Sequence, residues 1–188
     1  MIEDVQAWRQ ATRAELIARR MAIEPEQRRF WSDSIARHLL TIIRRRERGI
    51  LGIYWPFKGE FDPRPWLPAL MKGGWRLALP VVVGKIQPLR YRDWTPDAPL
   101  ERGVLGIMIP SQGDWVTPDT VLAPLVGFDA QRYRLGNGGG YFDRTLAALD
   151  SPPYAIGVGF ALARLATVHP QPHDRRMNAI VTEEGILR

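Results

Sequence analysis

The chain of 188 residues contains no cysteine, so disulfide scaffolding, thiolate metal sites and a cysteine nucleophile are all excluded. Its three histidines, His38, His169 and His173, have no spacing that would build a metal site. No apolar run approaches the roughly 20 residues needed to cross a bilayer. The start, "MIEDVQAWRQATRAEL", is charged and lacks the apolar core of a secretory signal. With a reducing compartment compatible with the missing cysteine, a cytoplasmic location without membrane association is expected. Lysine is also scarce, limited to Lys58, Lys72 and Lys85, so the net charge of +6 is carried almost entirely by arginine. Such a balance fits nucleic acid, an anionic surface or small polyanions such as nucleotides, and it also fits solubility alone. Acidic residues are dispersed among the basic ones, which argues against a dedicated nucleic-acid arm.

What is present is a single domain's worth of apolar residues, 45% of the chain. Val5, Trp8, Ala11, Thr12, Leu16 and Ile17 form a helical stripe within a helix expected over Glu3 to Met21. Pro25 can open a second helix carrying Phe30, Ile35, Leu39 and Ile42, with the arginines of "RRRERG" in its last turns. "GILGIYW" reads as a strand. "FDPRPWLPALMKGG" reads as a helix capped by Asp62, with Pro63 at its first position and Gly73 and Gly74 at its end. "WRLALPVV", "TVLAPLVGF", "YAIGVGF" and "MNAIVTEEG" are further strands; residues 84–118 are loops with short strands. Trp31 and Trp75 are expected in the core. Strands alternating with helices predict a layered α/β fold with a mostly parallel sheet, one domain over residues 1–188.

The stretch "RLGNGGGYFDRT" places Gly136, Gly138, Gly139 and Gly140 just before a helix expected from about Gly140 to Leu149. Glycines let backbone amides converge without a Cβ in the way, and a helix N-terminus adds unpaired N–H groups and partial positive charge. Together they can cradle phosphate. Asp143 then falls in the first helical turn, where it can hold a magnesium ion bridging to phosphate oxygens, while Arg134 and Arg144 supply countercharge. The other reading is a flexible loop followed by an ordinary acidic helix start. The stretch is neither GxxxxGK[ST] nor a clean GxGxxG.

"LAPLVGFDAQRYRLGNGGGYFDRTL" closely resembles the signature of the 5-formyltetrahydrofolate cyclo-ligase family. The similarity extends through "WRQATRAELIARR", "YWPFKGEFDPRPWL", "LALPVV", "PLRYRDWTPDAPLERGVLGIMIP" and "PQPHDRRMNAIVTE", in order and across nearly the whole chain. The resemblance implies an enzyme using ATP and Mg²⁺ to turn 5-formyltetrahydrofolate into 5,10-methenyltetrahydrofolate. The fold it implies is a three-layer Rossmann-like sandwich of the phosphosugar isomerase and CoA-transferase type. Its partners would be small molecules only, with no nucleic acid and a monomeric state.

The residue roles follow from the same resemblance. Arg9, Arg13 and the loop of Arg134, Leu135, Gly136, Asn137, Gly138, Gly139, Gly140, Tyr141 and Phe142 would bind ATP. Trp55, Glu60, Trp94 and the stretch Gly138 to Tyr141 would contact the folate, with Phe57 packed nearby and Tyr91 in the same region. Asp143 and Asp174 would be metal-linked, and Tyr141, Asp143 and Arg144 would serve the chemistry. Several positions depart from the family pattern. Arg9 stands where lysine is usual, Asn137 and Phe142 replace tyrosines, and Asn178 replaces an aspartate. These departures keep open a paralogous ligase acting on another amide, or a non-catalytic nucleotide- or RNA-binding relative.

Overall fold

The computed structural model describes residues 4–188. Helix α1 runs Val5–Met21, capped by Asp4, whose side chain accepts the Ala7 N–H at 2.9 Å. The expected start at Glu3 lies outside the described residues. Helix α2, Pro25–Ile43, begins on its proline as expected. It ends one residue before the triple arginine, so Arg44 is its C-cap and Arg45 and Arg46 lie in the following turns. Strand β1 is Ile50–Gly52. Asp62 accepts the Arg64 N–H at 3.0 Å, but the turn it opens is 3-10, and helix α3 forms only over Leu67–Lys72 before Gly73 caps it.

Strands β2 (Arg76–Val81), β3 (Arg90–Trp94), β4 (Leu100–Arg102), β5 (Met108–Pro110) and β6 (Trp115–Val116) follow. Strand β7, Thr120–Pro124, is buried along its length. A short hairpin of β8 (Gly127–Phe128) and β9 (Arg134–Leu135) leads to helix α4, Tyr141–Ala148. The chain closes with β10 (Tyr154–Val158), β11 (Ala179–Thr182) and β12 (Gly185–Leu187).

Eight strands form one sheet in the order β12-β11-β10-β7-β1-β2-β3-β6. The five from β11 to β2 pair in parallel, and the strands outside them are antiparallel additions. Alternation along each buried strand serves two faces. Leu77, Leu79, Leu122 and Ile156 pack with Ile35, Leu39 and Ile43 of α2 and Leu67 and Leu70 of α3. Ala78, Val121, Ala123, Ala155 and Ile180 pack on the other face with Leu146 of α4 and Phe128 of the hairpin. Helices thus cover both faces of a mostly parallel sheet, as the sequence pattern predicts. Trp75 is buried and Trp31 packs against Phe160 at the core's edge.

The strand order reverses direction between β1 and β7. In an open parallel sheet the loops leaving that point diverge and open a crevice at the carboxyl ends of the strands. Tyr54 and Trp55 beyond β1, Pro80 and Val82 at the end of β2, and Pro124 at the end of β7 all line a cleft there.

Candidate active site

The glycine loop forms one side of the cleft. It follows β9 of the β8–β9 hairpin beyond β7, outside the eight-stranded sheet. That hairpin is organised by Asp129, a buried carboxylate accepting the N–H groups of Gln131, Tyr133 and Val168 at 3.0–3.1 Å. The loop itself uses left-handed backbone at Gly138, with φ of +98°, and at Gly140, with φ of +64°. Gly140 is the N-cap of α4 and offers no side chain to the helix's first amides, so those N–H groups remain for a ligand.

Three arginines frame this loop. Arg13 donates from Nε to the Gly136 carbonyl at 2.9 Å. Burial and the nearby Arg9 charge pull the Arg13 pKa down, opposed by Asp174. Arg134, buried, pairs with Asp143 at 3.2 Å and lies 5.2 Å from the Phe142 ring centroid. Arg9 is 4% exposed; it donates to the Val168 carbonyl at 3.2 Å and forms a close ion pair with Asp174.

Asp143 and Asp174 come from α4 and from the 171–175 turn, and both line the cleft. The second oxygen of Asp143 accepts the Arg175 N–H at 3.0 Å, and Asp174 accepts the Gln171 N–H at 2.7 Å. The first bond ties the tail segment to the start of α4, and the second closes the tail's own turn. Among the described residues no three carboxylates or histidines gather as a metal cage. Magnesium does not need one, because it keeps several waters and takes one or two carboxylates plus phosphate oxygens. The two aspartates present therefore fit that ion.

The opposite wall carries Trp55, Phe57 and Glu60. Glu60 is 7% exposed; its Oε2 accepts the Phe57 N–H at 3.0 Å and its Oε1 the Asn137 side-chain amide at 3.1 Å. Burial pushes the Glu60 carboxyl up, while Asn137, Arg20 and the Phe57 amide pull it down. The Asn137–Glu60 bond spans the cleft from the glycine loop to the wall of Trp55, Phe57 and Glu60. Trp55 is held between Arg64, 4.5 Å from its ring centroid, and the edge of Trp94 at 6.4 Å.

Not every expected residue reaches the cleft. Trp94 is 4% exposed and stands behind Trp55 rather than on the wall, because β3 turns its indole into the core. Tyr91 is also buried off the wall, on the opposite face of the same strand. Leu135 packs inward at the base of the hairpin, as alternation along β9 requires once Arg134 faces the cleft. Arg144 folds back over Tyr141 and bonds the Gly139 carbonyl, so it braces the loop from behind. Asn178 is far from any metal role: its Oδ1 accepts the Ala155 N–H at 2.7 Å near the start of β10.

The cleft also has an apolar side that the sequence did not disclose, formed by Val104, Ile107, Ile109 and Leu89. These lie in the loop-rich 84–118 segment. Its apolar residues without helical or strand period were the available signal.

The family model described as "5-formyltetrahydrofolate cyclo-ligase family" matches residues 5–183. The 5-formyltetrahydrofolate cyclo-ligase of Haemophilus influenzae is 30% identical over 159 residues, covering 81% of this chain and 84% of that protein. The Escherichia coli K12 protein of the same name is 33% identical, covering 68% and 74%. Among solved structures, the Aquifex aeolicus 5,10-methenyltetrahydrofolate synthetase superposes with a TM-score of 0.81 at 28% identity, covering 96% of this chain and 92% of that one. The Mycoplasma pneumoniae 5,10-methenyltetrahydrofolate synthetase, at 22% identity and a TM-score of 0.78, shares the fold. A match spanning every element from α1 to β11 places the chain in the 5-formyltetrahydrofolate cyclo-ligase family.

Proposed function

We propose that the cleft binds ATP along the glycine loop and 5-formyltetrahydrofolate against the Trp55–Glu60 wall, and closes the formyl group onto N10 to give 5,10-methenyltetrahydrofolate. The observation carrying this assignment is that one crevice joins a glycine-rich helix N-terminus, three arginines and two aspartates to a buried acceptor beside an aromatic wall.

The chemistry needs activation because an amide oxygen is a poor leaving group. The formyl oxygen attacks the γ-phosphorus of ATP and ADP departs. N10 then adds to the formyl carbon, loses its proton, and the phosphorylated oxygen leaves as phosphate. No side-chain nucleophile takes part; the protein contributes alignment and charge neutralisation.

The amides of Gly138 to Tyr141 and the guanidinium groups of Arg13 and Arg134 would hold the phosphates. Arg9 would add charge from beside Asp174. Asp143 and Asp174 would hold Mg²⁺, which when bound neutralises phosphate charge. Glu60 would accept N–H groups of the pterin and Trp55 would stack on its ring. Tyr141 would stand where the two substrates meet. Arg144 acts through the loop it braces.

The test mixes purified protein, ATP, Mg²⁺ and 5-formyltetrahydrofolate and follows the near-ultraviolet absorbance of the methenyl product. ATP-dependent growth of that absorbance is expected. Its absence under conditions where the protein is folded would refute the assignment.

A further inference from the structure

Arg20 lies in the last turn of α1, is 5% exposed, and does not line the cleft. Its Nε donates to the Lys58 carbonyl at 2.9 Å and its Nη1 to the Leu125 carbonyl at 3.1 Å. Its Nη2 is buried with no hydrogen-bond partner among the described residues, and it points at Glu60, whose Oε1 is 3.9 Å away. Arg28 of α2 completes the clamp: it donates to the Gly59 carbonyl at 2.5 Å and to the Arg20 carbonyl at 2.7 Å. The clamped turn is one that local preference opposes at Lys58, which is left-handed with φ of +45°, while Gly59 adopts its φ of +73° freely.

Carbonyl anchoring alone does not account for a buried cation with an unbonded donor. Removing a guanidinium from water is costly unless a counter-charge repays it. Among the described residues the only carboxylate paired with this one is Glu60, itself buried and aimed into the cleft. We propose that Arg20 is a positioning residue for the folate side of the reaction: without touching substrate, it holds Glu60 ionised and turned toward the pterin. This rests on the reading in which Glu60 accepts pterin N–H groups.

The groups facing Glu60 are few. Arg20 comes from α1, the Asn137 amide from the glycine loop, and the Phe57 N–H from its own turn. The buried Tyr54 hydroxyl stands close by, donating to the Phe61 carbonyl at 2.8 Å. Arg28 reaches the turn but bonds carbonyls, not Glu60. Burial pushes Glu60 up, and among the described residues Arg20 is the cation opposing that. Without it, Glu60 is held ionised only by neutral donors, and a protonated carboxyl is a poor acceptor for N–H groups.

The experiment measures kcat/KM for 5-formyltetrahydrofolate from pH 5.5 to 9, at saturating ATP, in wild type, Arg20→Gln, Arg20→Lys and Glu60→Gln. In Arg20→Gln the acid limb should move to higher pH, with kcat/KM falling several-fold on the acid side of the limb. The loss should appear in KM and recover at pH 9. Arg20→Lys keeps the charge and should keep the wild-type limb, with a modest uniform loss from the missing carbonyl bonds. Glu60→Gln should lack the limb altogether. A loss in Arg20→Gln of equal size at every pH, or none, overturns the inference and leaves the cyclo-ligase assignment intact. A limb in Arg20→Lys displaced to higher pH overturns it too, and decides the matter should Arg20→Gln fail to fold. Persistence of the limb in Glu60→Gln likewise overturns it. A wild-type protein without turnover refutes the assignment, and this inference with it.

Discussion

Gly138→Ala isolates the backbone requirement of the glycine loop. A Cβ at this position would meet nothing closer than 3.9 Å, at the Arg13 guanidinium, so no steric clash is introduced. What the substitution changes is dihedral freedom. Gly138 sits at φ +98°, outside the left-handed well that alanine tolerates. Holding a non-glycine residue there costs about 1–3 kcal/mol. The loop is exposed and held by three polar ties, namely Arg13 to Gly136, Arg144 to Gly139 and Asn137 to Glu60. It is therefore expected to relax locally while the sheet and helices stay folded. The strain then lowers the population of the phosphate-binding loop by a factor of about 5 to 150, and apparent ATP affinity falls in proportion. KM for ATP and kcat/KM read this in the absorbance assay, and the melting temperature should hardly move. Gly185→Ala is the matched control: Gly185 lies at φ +144° in the β11–β12 hairpin with nothing within 4 Å of a Cβ. There the same cost falls on the fold, lowering the melting temperature by about 2–4 °C per kcal/mol, with activity retained. Wild-type ATP kinetics in Gly138→Ala would refute the claim that this backbone conformation binds the nucleotide.

Other substitutions separate the remaining roles. Asp143→Ala should largely abolish turnover and also destabilise the protein by about 3 kcal/mol, because Arg134 is left buried without its partner; wild-type rates would remove the metal assignment. Trp55→Ala should raise KM for the folate about tenfold or more, whereas Trp94→Phe, which removes a buried indole N–H with no partner, should leave KM unchanged and stability equal or higher. The reverse pattern would restore Trp94 to the cleft. For Glu60, a pKa raised by folding means that the folded state holds the proton more tightly than the unfolded one. That contribution is full below the ordinary carboxylate range and is lost as pH rises through the raised value. The stability of wild type minus that of Glu60→Gln should therefore fall with rising pH in thermal melts, and a difference that grows with pH would contradict the burial of this carboxyl.

Residues whose role is local were legible in the sequence. The stripe of α1, the proline start of α2 and the buried strands follow from side-chain period and from backbone rules that act over a few residues. Strand alternation likewise assigns Leu122 and Val121 to opposite faces. The glycine loop was legible for the same reason, since positive φ and an uncapped helix start are properties of one short segment. Its departure point was not: the β8–β9 hairpin is only two residues per strand, and its organiser, Asp129, bonds Val168 from 39 residues away.

The arginines were the least legible part, and the reason is chemical. A guanidinium carries five donors on a long stem, so its partners are set by whatever carbonyl or carboxylate the fold brings near. On the helix, Arg9, Arg13 and Arg20 look alike as basic positions. In the fold, Arg9 finds Asp174 across 165 residues, Arg13 the Gly136 carbonyl across 123, and Arg20 the Leu125 carbonyl across 105. None of those separations leaves a spacing rule to read. The basic composition that first pointed toward polyanions is therefore partly internal architecture. Several of these charges hold the site's own loops and carboxylates, and only an arginine that also lines the cleft, as Arg9, Arg13 and Arg134 do, is placed to meet a bound anion.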